Sequence, residues 1–332
     1  MTDSEETGET PPTDASEPAP EVAAVGSALV DRMYALTNLP EPDGGAFVRD
    51  EETAVGGVSA NVASALTRLG RDTGVVARLG DDEAADRVLA DLRNRGIDAR
   101  RVRRGNPDEQ TSYSLVLRGP DGERMIIAGG ESVPNLRLDA ADRDYLRNAD
   151  LVFTSAYAPD PVVSALADAA ANTGPDDDFP PLAFDLAGPL SELQNRATRP
   201  ETIDALLPVC DLFVANEVSA RSYLGEDPRE AIELLRDRGV RRAALTRGTD
   251  GALLLTEKDE IIEIPAFEVE TADTTGAGDA FTAGLLHGWL LGNRAPEDAG
   301  RFAAGTAALN CTAENARGGL PTAEEVAQFL GS

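Results

Sequence analysis

The order of apolar and polar positions divides the chain into short segments that alternate between the strand period and the helix period. Val22–Gly26 is an apolar run ending at a glycine and reads as a first strand. Asn61–Leu69 has apolar residues at helical spacing, and Thr73–Arg78 is a short β-rich run. Asp81–Arg95 predicts a helix that opens on acidic residues and closes at Gly96, the polarity a helix dipole favours. Ser112–Arg118 and Arg124–Ala128, joined by Gly119-Pro120-Asp121-Gly122, predict a hairpin. Strands are then expected at Leu151–Thr154, Leu182–Asp185, Leu212–Ala215 and Arg242–Thr246. Helices are expected between and after them at Pro161–Asn172, Thr202–Leu207, Glu217–Tyr223 and Pro228–Arg238. Such alternation implies an α/β fold, a mostly parallel sheet covered on both faces. Ala252–Thr256 and Ile261–Ile264 predict a second hairpin, followed by helices at Ala277–Leu291, Pro296–Asn310 and Thr322–Leu330. No repeat of fixed period is visible.

Composition narrows the picture. With 332 residues, 42% of them hydrophobic, the chain can bury one large α/β core, with room for a small accessory unit. Residues 1–20 contain almost nothing apolar and are expected to form a disordered acidic tail, leaving 21–332 as the folded domain. Acidic residues outnumber basic ones by 59 to 30, a formal net charge of -29, and they are spread along the whole chain. An acidic surface of this kind repels nucleic acid and anionic membrane, which argues against both as partners. It suits a protein kept soluble in high salt, so a halophile's cytoplasmic protein is expected. The cations are nearly all arginine; Lys258 is the one lysine. Cys210 and Cys311 suit a reducing compartment better than a disulfide framework. A single histidine, His287, excludes His-rich metal sites, and no apolar run is long enough for a transmembrane helix. The N-terminus lacks the basic and apolar regions of a signal peptide.

The chemistry is concentrated in Asp273-Thr274-Thr275-Gly276-Ala277-Gly278-Asp279, which runs straight into an apolar helical stretch. Gly276, Ala277 and Gly278 are small enough for a ligand to approach the backbone. They sit where a helix begins and its first N–H groups lack partners, a natural anion site. A carboxylate in that same turn, Asp279, is wasteful unless it has a task. Taking a proton from an attacking hydroxyl while the amides hold phosphoryl charge is such a task. No Walker A Gly-Lys-Ser/Thr follows, and the spacing is not that of a dinucleotide-binding loop.

The segment resembles the second hallmark of the PfkB, or ribokinase-like, family of carbohydrate kinases. Gly56-Gly57-Val58-Ser59-Ala60-Asn61 resembles the first, in which paired glycines let a sugar lie against the backbone and Asn61 offers a donor and an acceptor. The resemblance covers residues 21–332. It implies a ribokinase-like three-layer sandwich with a small β-sheet lid formed by about 32–50 and 111–128. It implies ATP as phosphoryl donor, Mg²⁺, and Asp279 as catalytic base beside Gly276, Ala277 and Gly278. Asp31, Gly56, Gly57 and Asn61 would position the sugar. Asn216, Thr246, Arg247, Gly248, Gly251 and Asn310 would lie along the nucleotide, with Asn310–Gly319 as the adenine-side loop. Asp273 and Thr275 would help to hold a monovalent cation such as K⁺, and a lid with a free strand edge would pair with a second copy.

Two departures stand out. Asn216-Glu217-Val218-Ser219 has serine where the family often has glutamate, leaving Glu217 as the candidate carboxylate for magnesium. Val58 stands where many ribokinases and 1-phosphofructokinases have lysine. Family members act on ribose, fructose phosphates, ketodeoxygluconate and nucleosides, and the hallmarks do not discriminate among these. Arg124 and Arg78 are candidates to hold an anionic substrate. Together with the haloarchaeal composition they favour ribose 1-phosphate becoming ribose 1,5-bisphosphate. Cytidine or guanosine, ribose and ketodeoxygluconate are the other acceptors, and a non-catalytic sugar or nucleotide sensor is the reading of another class. His287, Trp289, Leu286 and Leu290 read as packing residues, and Asp176-Asp177-Asp178 as a solvated loop.

Overall fold

A computed structural model of the chain describes residues 18–172, 179–194 and 196–331; most of the expected acidic tail and the Asp176-Asp177-Asp178 run lie outside the described residues. Thirteen strands are found among these residues, in two sheets. The strands are β1 (Val22–Val25), β2 (Leu29–Leu36), β3 (Val48–Gly56), β4 (Thr73–Leu79), β5 (Val102–Arg104), β6 (Tyr113–Arg118), β7 (Arg124–Gly129), β8 (Leu151–Ser155), β9 (Leu182–Asp185), β10 (Leu212–Asn216), β11 (Ala243–Thr246), β12 (Ala252–Leu255) and β13 (Ile261–Ile264). The helices are α1 (Val58–Arg68), α2 (Glu83–Asn94), α3 (Ala140–Arg147), α4 (Asp160–Ala171), α5 (Leu190–Leu193), α6 (Pro200–Leu206), α7 (Glu217–Leu224), α8 (Pro228–Asp237), α9 (Ala277–Leu285), α10 (Pro296–Asn310) and α11 (Ala323–Gly331).

The large sheet has the order β13-β12-β11-β10-β9-β8-β1-β4-β5. From β11 to β5 every neighbouring pair is parallel, and only the β11-β12-β13 edge is antiparallel. Central strands such as Leu151–Ser155 and Leu182–Asp185 are buried throughout, as a sheet covered on both faces requires. One apolar cluster joins α1, α2, α9 and α10 to one face; the other joins α3, α4, α6 and α8 to the opposite face. The three layers follow directly.

The small sheet has the order β3-β2-β6-β7, with β2-β6 the one parallel pair. Its first half is larger than the expected 32–50 segment, because β2 starts at Leu29 and β3 runs to Gly56. Residue β3 positions Val48 to Asp50 through Thr53 are exposed and mostly polar, so no alternation announced the strand. Helix α1 also starts earlier than predicted, at Val58. Gly57, with φ 97, turns the chain into it, and a Cβ there would lie 2.6 Å from the Ser27 carbonyl oxygen. Asn61 is therefore inside the helix, its N–H on the Gly57 carbonyl, rather than at a cap.

Helix α9 continues past Leu285 as a single π turn, Leu286–Leu290, instead of the uninterrupted helix predicted to Leu291. The His287 carbonyl there accepts from Arg71 Nη2, and Arg71 Nε donates to His287 Nδ1 at 3.0 Å. His287 also stacks on Phe302, which confirms it as a packing residue. Lys258 lies exposed in the turn between β12 and β13. No helix among the described residues is long and apolar enough to cross a membrane.

Candidate active site

The C-terminal ends of the parallel strands lie side by side. Ser155 of β8 is in register with Asp185 of β9, and Asn216 of β10 with Thr246 of β11. This edge is where open parallel sheets bind ligands. Helix α9 begins against it. Gly276 takes φ 78 at its N-cap, a left-handed conformation that L side chains resist, and a Cβ would lie 2.3 Å from the Ala316 carbonyl oxygen. Gly278 is different. Nothing lies within 4 Å of where its Cβ would be. The protein's own packing does not demand glycine there, so the space is open to a ligand. The N–H groups of Gly278 and Asp279 find no backbone acceptor among the described residues, whereas that of Ala277 is spent on the Thr274 carbonyl.

Asp279 Oδ2 accepts from Asn61 Nδ2 at 2.7 Å. Asn61 Oδ1 accepts from Arg317 Nε at 2.7 Å, and Arg317 Nη1 reaches Asp91 at 2.6 Å. Each end of the Asn61 amide thus has one protein partner, which orients it in the cavity wall and leaves one N–H and one lone pair over. Burial pushes Asp279 up to about 7; Asp185 and Asp31 add to the rise, while the Asn61 hydrogen bond and Arg317 oppose it. Burial likewise pushes Asp185 up to about 6, although the Ala187 N–H and Thr282 Oγ1 hold its carboxylate. Arg317, desolvated, comes down to about 10.

A cavity of about 1250 Å³ opens beside these groups. Its walls include Asp31, Gly57, Asn61 and Thr275, and the guanidinium-bearing Arg118, Arg124, Arg196 and Arg317. Asp31 accepts from Ser114 Oγ, and burial raises its carboxyl. Gly56 makes room for it, since a Cβ there would overlap the Asp31 carboxylate. Ser27 Oγ and Arg317 Nη2 line the same space, buried and without a hydrogen-bond partner among the described residues. Orphaned polar atoms facing a cavity are what a polar ligand would satisfy.

The residues expected along the nucleotide are placed unevenly. Thr246 ends β11 and Arg247 and Gly248 follow it; the Arg247 Nη2 donates to the Asp250 carbonyl, and its Nε has no partner among the described residues. Gly251 is required by packing, because a Cβ would lie 2.0 Å from the Ile264 carbonyl oxygen. Asn216 caps α7 with its side-chain oxygen on the Ser219 N–H, and Ser219 Oγ accepts from the Asn216 N–H at 3.0 Å. Serine in place of the family glutamate thus completes a capping box. Asn310 is fully buried, with its Nδ2 on the carbonyls of Thr275 and Ala316. It braces two loops from beneath, a correction to its expected place against the nucleotide. Arg78 is also corrected: its Nε and Nη2 donate to Glu109, at 2.7 and 2.6 Å, and it is not among the residues lining the cavity.

Asp273 holds Thr275 N and Oγ1 on one carboxylate oxygen, and Arg118 and the Asn315 N–H on the other. Those hydrogen bonds outweigh its burial and keep it down at about 2. The side chain of Glu217, by contrast, has no hydrogen bond or ion pair among the described residues, so its carboxylate is available to a hydrated divalent ion.

Residues 19–323 match the profile of the pfkB family of carbohydrate kinases. The chain belongs to that family. It is a phosphotransferase with an alcohol group as acceptor. The kinase is 31% identical to the ATP-dependent ribose-1-phosphate kinase of Halopiger xanaduensis, over 93% of this chain and 97% of that one. It is 30% identical to the 2-dehydro-3-deoxygalactonokinase of Haloferax volcanii, over 86% of this chain and 91% of the other. The structure of Arabidopsis thaliana ribokinase complexed with ribose and ATP superposes with a TM-score of 0.81 at 25% identity, covering 95% of this kinase and 99% of that chain.

Several site residues of the kinase carried no signal of their own in the sequence. Arg317 and Asp91 meet Asn61 only through the fold. Arg118 reads as one more hairpin arginine, and Asp185 as the last residue of a buried strand.

Proposed function

We propose that the kinase transfers the γ-phosphoryl group of ATP to the primary hydroxyl of a pentose phosphate, converting ribose 1-phosphate to ribose 1,5-bisphosphate in the cytoplasm of a halophile. The chemistry rests on one arrangement: a carboxylate poised near neutrality, Asp279, in the same helical turn as two unpaired amides. The acceptor oxygen attacks the γ-phosphorus as the bond to the bridging oxygen of ADP breaks. Asp279 takes the hydroxyl proton, and the N–H groups of Gly278 and Asp279 hold the charge on the transferred group. Asp31, with Ser114 behind it, accepts from the ring hydroxyls. Magnesium bound with ATP would neutralise phosphate charge, and the free carboxylate of Glu217 is suited to its hydration shell.

An anionic acceptor is favoured by the arginines. Arg118 and Arg124 are paired across β6 and β7, and like charges so placed repel unless anions answer them. Arg118 has Asp273, while the Arg124 guanidinium, which lines the cavity, has no ion-pair partner among the described residues. The likeness to a ribose-1-phosphate kinase points the same way. The strand β7 at the edge of the small sheet, with exposed Met125, Ile126 and Ile127, supports a homodimer formed through that sheet.

The deciding experiment measures Mg²⁺-dependent ADP release at molar KCl with ribose, ribose 1-phosphate, fructose phosphates, ketodeoxygluconate and nucleosides, with Asp279→Asn as control. Ribose 1-phosphate is expected to give the highest kcat/KM. A neutral sugar or a nucleoside ahead of it overturns the acceptor assignment, and binding without turnover of any panel member favours a sensor.

A further inference from the structure

The Asp273 carboxylate lies at the root of the anion-binding turn, and its oxygens are already taken. Oδ1 accepts from the Thr275 N–H at 2.9 Å and from Thr275 Oγ1 at 2.7 Å. Oδ2 accepts from Arg118 Nη2 at 2.7 Å and from the Asn315 N–H at 3.2 Å. A carboxylate offers about four lone-pair directions, and four donors fill them. A monovalent cation needs those same lone pairs and would have to displace a guanidinium that carries the same charge. The donor set therefore does not fit the cation site that the family resemblance suggests.

The arginine comes from a different part of the molecule. Arg118 ends β6 in the small sheet, whereas Asp273 precedes α9 on the large one. A second contact runs parallel to it: Asn315 Nδ2 donates to Glu52 of β3 at 2.8 Å. Asn310, buried beneath, ties the two receiving loops together through the carbonyls of Thr275 and Ala316. The small sheet thus grips the two loops flanking the N-terminus of α9, whose first turn carries the unpaired amides.

We infer that Arg118 is an internal counter-ion and positioning residue: its guanidinium replaces a monovalent cation at Asp273 and fixes the anion-binding turn when the small sheet is docked. The turn is then set by closure of the protein on itself, independently of which alkali ion surrounds it.

The test uses cation and nucleotide binding by the full chain, with no sugar and no turnover, so an error in the proposed acceptor leaves it intact. Thallium(I) acetate is titrated as a potassium probe in chloride-free molar choline acetate and followed by thallium NMR. The wild type is expected to show no saturable site. Arg118→Gln is expected to gain one, and Asp273→Asn in that background to lose it again. A saturable site in the wild type that Asp273→Asn removes overturns the inference, as does the absence of any site in Arg118→Gln. Affinity for a non-hydrolysable ATP analogue reads the position of the turn. For Arg118→Gln it should fall about tenfold in choline chloride and recover in KCl. Arg118→Lys, which keeps the charge, should stay near wild type in both. Equal affinity of Arg118→Gln in the two salts also overturns the inference.

Discussion

Among single residues, Asp279 illustrates how a base is tuned by its surroundings. Its carboxyl is pushed up to about 7, so kcat/KM should fall as pH drops through that value, because only the ionised form can take the hydroxyl proton. A flat pH profile between pH 5 and 8 would remove Asp279 as the base. Replacing it with Asn should cost roughly a thousandfold in kcat. The same shift has a thermodynamic sign. A carboxyl with a raised folded pKa stabilises the fold below its unfolded value of 3.8, and that contribution is lost as pH rises to about 7. Asp279→Asn should therefore unfold at a higher temperature than wild type at pH 8, with the gap closing near pH 4; no gap at pH 8 would refute it. The two glycines of the turn separate folding from chemistry. Gly276→Ala forces a side chain into the left-handed region and against Ala316, and should destabilise by about 1–3 kcal/mol. Gly278→Ala meets open space, so it should melt like wild type while losing at least about tenfold in kcat/KM. A Gly278→Ala enzyme of full activity would mean that no phosphate approaches there. The seven residues from Asp273 to Asp279 were legible because their function is local. The partnership of Asn61 with Arg317 was not, because 256 positions separate the two and no pattern in either segment refers to the other.

Elements were legible in proportion to how much of them is buried. The central strands and the helices packed on them were recovered almost to the residue, since burial on one stripe or on both faces writes a period into the sequence. Strand β3 is exposed over most of its length, β5 has three residues and α5 has four, and none carries a readable period. Helix α3 was missed for another reason. Its buried Asp142 is held by Arg103 of β5 and by Arg101 just before that strand, so a polar residue occupies a core position. The order of strands in the two sheets was likewise not written locally. At this scale the exposed strand β7 makes a prediction. Ile127→Lys places a charge on an edge whose apolar residues are half exposed, and should halve the mass measured by sedimentation equilibrium. A wild type that is monomeric at every concentration would exclude the dimer.

The whole molecule carries a net charge of -29, and many of its ion pairs are surface arginine–carboxylate pairs worth little individually. Self-repulsion of that size should dominate the dependence of stability on salt. Raising KCl from about 0.1 M to about 1 M shortens the screening length from about 10 Å to about 3 Å, and the thermal midpoint should climb by several degrees. A midpoint that stays level, or falls, would separate the acidic surface from any salt adaptation. The scarcity of lysine has a separate chemical consequence. The cavity's cations are all guanidinium groups, Arg87, Arg95, Arg118, Arg124, Arg196 and Arg317, and the chain's one ε-amine, at Lys258, lies in the β12–β13 turn and not among the residues lining the cavity. Open-chain sugars carry an aldehyde that condenses with free amines to imines, whereas a guanidinium, protonated up to pKa values above about 12, is a poor nucleophile at neutral pH. Ribose 1-phosphate, held as a closed ring by its C1 ester, has no such aldehyde to offer, but a free pentose that entered this cavity, as substrate or as a hydrolysis product, would meet no side-chain amine to glycate.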